Sequence, residues 1–91
     1  MINLIKKKLT EELLKYDLKL INLEAGILNV HVLKYEEREE ELFNLIANIE
    51  KDESVTKVTR NGGDVSIYFK QSDILKPQTL MRWKEIFKDY V

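Results

Sequence analysis

Apolar positions recur along the whole chain, and their period changes from segment to segment. Ile2, Ile5, Leu9, Leu13 and Tyr16 return every three or four positions. That spacing predicts a helix over about residues 2–16 with one apolar stripe. Lys6, Lys7, Lys8, Glu11, Glu12 and Lys15 fall mostly off the stripe. Leu18 to Glu24 and Ile27 to Leu33 come next, separated by Ala25-Gly26. Leu28, Val30 and Val32 alternate with Asn29 and His31, the period of a strand, so the pair reads as a hairpin.

Residues 36–51 predict a second helix with Leu42, Phe43, Leu45, Ile46 and Ile49 as its apolar face. Glu36, Glu37, Glu39, Glu40 and Glu41 fill its first turns, where carboxylates oppose the positive end of the helix dipole. Two more strand-like runs flank Asn61-Gly62-Gly63. Asn-Gly between such runs is a hairpin signal that asks for positive φ at both residues. Val65, Ile67 and Phe69 point one way, with Ser66, Tyr68 and Lys70 opposite. A loop over 71–76 precedes Pro77, which suits the first turn of a helix. Leu80, Trp83, Phe87 and Tyr90 form that helix's stripe, with Met81, Ile86 and Val91 nearby.

The order α-ββ-α-ββ-α predicts an α+β fold, a single small domain over residues 1–91. A four-stranded antiparallel sheet carries helices mainly on one face, the face of Leu28, Val30, Val32, Val65, Ile67 and Phe69. The first helix has three places open to it: a sheet edge, the other face, or a second copy. Two ββα units, about 18–51 and 54–91, share phase and a leading glycine in Gly26 and Gly63.

Composition narrows the classes of function. The chain has no cysteine, which excludes disulfides, thiolate metal sites and cysteine nucleophiles and fits a reducing compartment. The lysines at 6–8 follow the first apolar residues rather than precede them, unlike a signal peptide. No apolar run approaches the roughly 20 residues of a membrane span. A soluble, cytoplasmic protein with no membrane partner is expected. The net charge of −1 conceals a partition. Residues 1–34 hold six Lys/Arg against four Asp/Glu, residues 35–53 two against eight, and residues 54–91 seven against four. A dipolar chain of this kind steers partners of either sign, or a second copy of itself.

Candidate chemistry is sparse. His31 is the sole histidine, and no local motif joins it to a serine nucleophile or to further ligands. The acidic run at 36–41 lacks the alternating ligands and central glycine of a calcium loop. Asn61-Gly62-Gly63-Asp64 opens a strand, whereas a phosphate loop opens a helix. Lys6, Lys7 and Lys8 are candidates for phosphate contacts. His31, Arg60, Tyr68 and Lys70 are assigned to the second sheet face, where aromatic and cationic groups stack bases in some RNA-binding modules. Trp83 reads as a core anchor whose indole N–H finds a partner at the rim. If its helix is partly exposed, Trp83, Tyr90 and Arg82 become interface anchors.

Gly26 to Val58 is loosely similar to the BON domain in Gly26-Ile27-Leu28, Glu36-Glu37-Arg38-Glu39 and Val55-Thr56-Lys57-Val58. The resemblance implies a lipid-surface role. Ser54 stands where that family usually has glycine, and the export signal common in it is missing, so no membership is assigned. The strand-helix-hairpin order from Leu28 to Phe69 is that of ferredoxin-like regulatory domains, which carries no function. The expectation is therefore a non-enzymatic module for protein–protein interaction or self-association, as a homodimer. It has no cofactor, no metal and no small-molecule substrate. A nucleic-acid binder using the first helix and second hairpin is the alternative.

Overall fold

A computed structural model of the chain describes residues 2–74 and 76–90. The order is α1 (Ile2–Leu14), β1 (Leu18–Glu24), β2 (Ile27–Val32), a 3-10 turn (Tyr35–Glu37), α2 (Glu39–Glu50), β3 (Val55–Asn61), β4 (Asp64–Phe69), α3 (Gln71–Ile74) and α4 (Pro77–Tyr90). The strands form one antiparallel sheet in the order β1-β2-β4-β3.

Alternation decides which side of the sheet is buried. Leu28 pairs with Ile67 and Val30 with Val65 across the central strands, and Leu18 pairs with Val32 at the β1 side. These residues and Phe69 are buried in one cluster with Leu13 and Tyr16, Leu42, Leu45 and Ile49 of α2, and Trp83, Phe87 and Tyr90 of α4. Full burial of such a side chain stabilises by about 1.5–3 kcal/mol. The helices therefore share the apolar face, as the α+β pattern predicts. α1 packs along the edge strand β1 and joins the covered face, so it neither crosses the other face nor waits for a second copy. Tyr16, just after α1, sets its ring 6.2 Å from that of Phe87. The side chains of Ile2 and Ile5, and all of Val91, lie outside the described residues.

Several local expectations are corrected. The second helix does not begin at residue 36. Arg38 has an extended φ of −134° and separates the 3-10 turn from α2. Its guanidinium lies 4.1 Å from the centre of the Tyr90 ring and donates to the Tyr90 carbonyl. Glu36 and Glu37 thus lie outside α2, and Glu39, Glu40 and Glu41 occupy its first turn. Phe43, placed on the apolar face by its spacing, is 70% exposed. Leu80 is 48% exposed, and Thr79 is buried in its stead. Residues 71–74 form the short α3 rather than loop.

The second hairpin turns one residue later than Asn-Gly predicts. Asn61 pairs with Asp64, leaving Gly62-Gly63 as the loop. Only Gly62 among them has positive φ, +61°, the pattern of a type II′ turn. Gly63 is needed for a different reason. A Cβ there would overlap the Tyr35 ring, with Cε1 at 2.9 Å, and press on His31 Cε1 at 3.0 Å.

The hairpins match each other in length: seven residues, a two-residue loop, six residues. Leu18↔Val32 and Val55↔Phe69 are equivalent pairs, as are Glu24↔Ile27 and Asn61↔Asp64. Asn29 and Ser66, equivalent positions in this scheme, face one another, and Ser66 Oγ donates to Asn29 Oδ1 at 2.5 Å. The register is thus matched about that pair at the hairpin ends, while the bulges differ: β1 shifts between Leu20 and Asn22, and β3 between Val55 and Lys57.

Gly63→Ala should destabilise the fold by about 1–3 kcal/mol, because overpacking displaces the Tyr35 ring. In a Tyr35→Ala background the same change should be nearly neutral. Urea denaturation of the four proteins in this cycle measures the coupling.

Candidate functional site

Two clamps tie α4 to α2. One is the Arg38–Tyr90 contact. The other begins at Asp52, past the end of α2, whose side chain is 3% exposed. Arg82 Nε donates to Asp52 Oδ2 at 3.0 Å and Arg82 Nη2 donates to Oδ1 at 3.2 Å. The Ser54 hydroxyl donates to Asp52 Oδ1 at 2.6 Å and its N–H donates at 2.9 Å. Trp83 Nε1–H donates to Ser54 Oγ at 2.9 Å. Burial alone would raise the Asp52 pKa. The hydrogen bonds from Arg82 and Ser54 outweigh it and hold the carboxyl well below the usual carboxylate range. The Trp83 indole N–H finds a partner, as the sequence suggests, but that partner, Ser54, is fully buried rather than at a rim.

The end of α1 meets α4 through the Tyr16–Phe87 ring pair and through Arg38, which also lies 3.9 Å from Asp17, and no side-chain hydrogen bond joins the two helices directly among the described residues. Between these helices runs an apolar cleft of about 380 Å³. Leu23, Leu28 and Phe69 floor it, Leu9 and Leu13 form one wall, and Leu80, Trp83 and Phe87 form the other. Lys8, Glu12 and Lys84 stand at its margin, and Lys15 Nζ donates to Glu12 Oε1 at 3.1 Å. Clefts of this size, mostly apolar with a few polar groups, are the usual form of a binding site. The wall residues recur at helical spacing, from Lys8 to Leu13 on α1, with Tyr16 just beyond its end, and from Leu80 to Phe87 on α4. At 1.5 Å per residue the cleft thus follows α1 for roughly 7–8 Å and α4 for roughly 10–11 Å.

The sheet face away from the helices carries His31, Asn29, Asp64, Ser66, Tyr68, Lys57 and Thr59. His31 Nδ1 lies 2.8 Å from Asp64 Oδ1, and its ring meets that of Tyr35 edge-on at 6.1 Å. Lys57 Nζ lies 5.1 Å from the centre of the Tyr68 ring. Lys70 follows β4 directly and is exposed. Arg60 does not join them. A bulge between Val55 and Lys57 shifts the phase of β3, so Arg60 follows Val58 to the covered side and pairs with Val65. There its guanidinium donates to both Glu39 oxygens at 2.6 and 2.7 Å, and to the Gly62 carbonyl.

The sequence-derived candidates therefore split three ways. Lys8 borders the cleft and Trp83 walls it, with Lys6 and Lys7 on the same helix as Lys8. His31, Tyr68 and Lys70 belong to the open-face side. Arg60, Arg82 and Tyr90 are engaged internally. Leu9, Leu13 and Leu80 belong to helix stripes in the sequence, and the cleft they line with Leu23 emerges only from how the helices pack. The one available signal was a surplus of apolar stripes over what a single sheet face can cover. Among the described residues, no group of three or more His, Asp or Glu side chains is placed to hold a metal ion. No helix among them is long and apolar enough to cross a membrane. No protein-family model matches the chain, and neither a curated protein nor a solved structure matches it.

Ser54→Ala should cost about 1–3 kcal/mol, because it leaves the buried Trp83 N–H without its acceptor. The Asp52 pKa is lower folded than unfolded. Its contribution is therefore present above the ordinary carboxylate pKa of about 3.9 and is lost as pH falls below it. Asp52→Asn should flatten the fall in urea midpoint between about pH 5 and pH 2.

Proposed function

We propose that this chain is a non-enzymatic protein-interaction module that receives an amphipathic helix of a protein partner between α1 and α4. The observation that carries this reading is the cleft itself, where core residues Leu28, Phe69, Trp83 and Phe87 line an accessible groove. Its α4 wall, Leu80 to Phe87, covers an i to i+7 span, about 10.5 Å, which suits the anchor spacing of helix-in-groove recognition. The absence of cysteine supports placing the module in the cytoplasm.

A second reading, nucleic-acid binding, has one observation in its favour: Tyr68 and Lys57 stack on a sheet face without helices. Lys6, Lys7 and Lys8 sit on a helix of the other face, so the basic residues do not form one footprint. Salt-sensitive retention of a mixed RNA and DNA pool would favour this reading over the first.

Trp83 is the sole tryptophan and walls the cleft, so its emission reports occupancy. A synthetic amphipathic helix with leucines at i, i+3, i+4 and i+7 and an uncharged polar face should shift that emission saturably at low protein concentration. Leu80→Glu should weaken binding at least about tenfold, or 1.4 kcal/mol, with little change in thermal midpoint. An emission spectrum indifferent to the peptide would remove the proposal.

A further inference from the structure

Resting on the cleft reading above, we infer that the helix the cleft takes is α2 of a second copy of this chain, with Phe43 as the anchor. Phe43 is the most exposed large apolar side chain among the described residues, at 70%, on a helix whose Leu42, Leu45 and Ile49 are buried. Helical period places Glu40, Phe43, Ala47 and Glu50 on its outward side. Glu40 and Glu50 are exposed, and neither forms an ion pair among the described residues. That side of α2 is an apolar anchor between carboxylates.

The cleft has the opposite character. Lys8 and Lys84 stand at its margin from opposite helices, and neither is ion-paired among the described residues. Glu12, the one acidic residue lining it, is already bonded to Lys15. Two lysines thus line the cleft with one glutamate that is already held by Lys15, facing two carboxylates and a phenyl ring on the incoming helix. Rim complementarity of this kind fixes register and speeds encounter.

The positions also allow the contact to close. The clamps hold α2 beside α4, and the cleft lies on the other flank of α4. Closure requires two copies related by a twofold axis, each seating the Phe43 side of its α2, the flank where Glu39 meets Arg60, on the other's cleft. The contact is then made twice, which yields a closed dimer rather than a fibre.

Sedimentation equilibrium from micromolar to millimolar concentration tests this. A monomer–dimer equilibrium is expected, weakened at least about tenfold by Phe43→Ser. Glu40→Lys and Lys84→Glu should each weaken it, and the double variant should recover most of the loss. Phe43, Glu40 and Lys84 are all exposed, and circular dichroism melts check that each variant folds. A strict monomer that still binds the leucine peptide overturns the second copy as occupant and leaves the cleft reading standing. A monomer indifferent to the peptide overturns both. A dimer unmoved by Phe43→Ser, or a mass that grows without limit, overturns the reciprocal contact.

Discussion

A sheet has two faces, and this chain supplies a continuous apolar set for only one of them. Leu28, Val30, Val32, Val65, Ile67 and Phe69 are buried on one side, while Asn29, His31, Ser66 and Tyr68 are half-buried on the other. Every long helix must therefore find room on the same face. Four strands at about 4.8 Å spacing span less than 20 Å, whereas three helices side by side need about 25 Å at 8–10 Å between axes. One helix overhangs an edge, and close packing along the whole layer is not available to all three. The end clamps decide where the slack falls. Asp52–Arg82 and Arg38–Tyr90 hold α4 against α2, so the gap opens between α4 and α1. The cleft is the residue of a packing conflict that those two polar contacts resolve in one direction.

The Asp52 network shows why such a clamp is placed where it is. A buried carboxylate is costly unless its oxygens are occupied. Here both oxygens accept from Arg82, and Oδ1 also accepts twice from Ser54. Ser54 in turn satisfies the Trp83 indole, so the end of α2, the approach to β3 and the wall of the cleft are positioned together. The ring that would report cleft occupancy is fixed by the same contacts that leave the cleft open.

What was legible in the sequence follows from what periodicity encodes. Alternation at 28–32 and 65–69 identified the covered face residue by residue, and Pro77 marked the last helix. Periodicity says that a side of an element is apolar; it does not say what covers it. That is why the stripes of α2 and α4 include Phe43 and Leu80, although Phe43 lies in solvent and Leu80 faces the open cleft. Phase is equally vulnerable. One extra residue at Thr56 sends Arg60 to the covered side, and nothing in Val55 to Arg60 announces it. Tertiary contact also beats local signal at Arg38, where the Tyr90 ring draws the residue out of the helix. At Gly63, the close approach of Tyr35 matters more than turn chemistry.

The near-equality of the two hairpins sharpens the case that α2 and α4 have parted roles. The sheet halves are related through the Asn29–Ser66 pair, and a short helical turn precedes a longer helix in each half. Were the helices also equivalent, each would bury the same pattern. They do not. α4 turns Thr79, Trp83, Phe87 and Tyr90 inward, while α2 buries Leu42, Leu45 and Ile49 and leaves Phe43 in solvent. α1 has no counterpart between the halves and adds a wall beside α4 alone. The symmetry of the sheet is thus broken in the helix layer, where one half gains a groove and the other retains an exposed anchor. The proposed contact between copies would draw on both departures from symmetry at once, the groove of one half and the exposed anchor of the other.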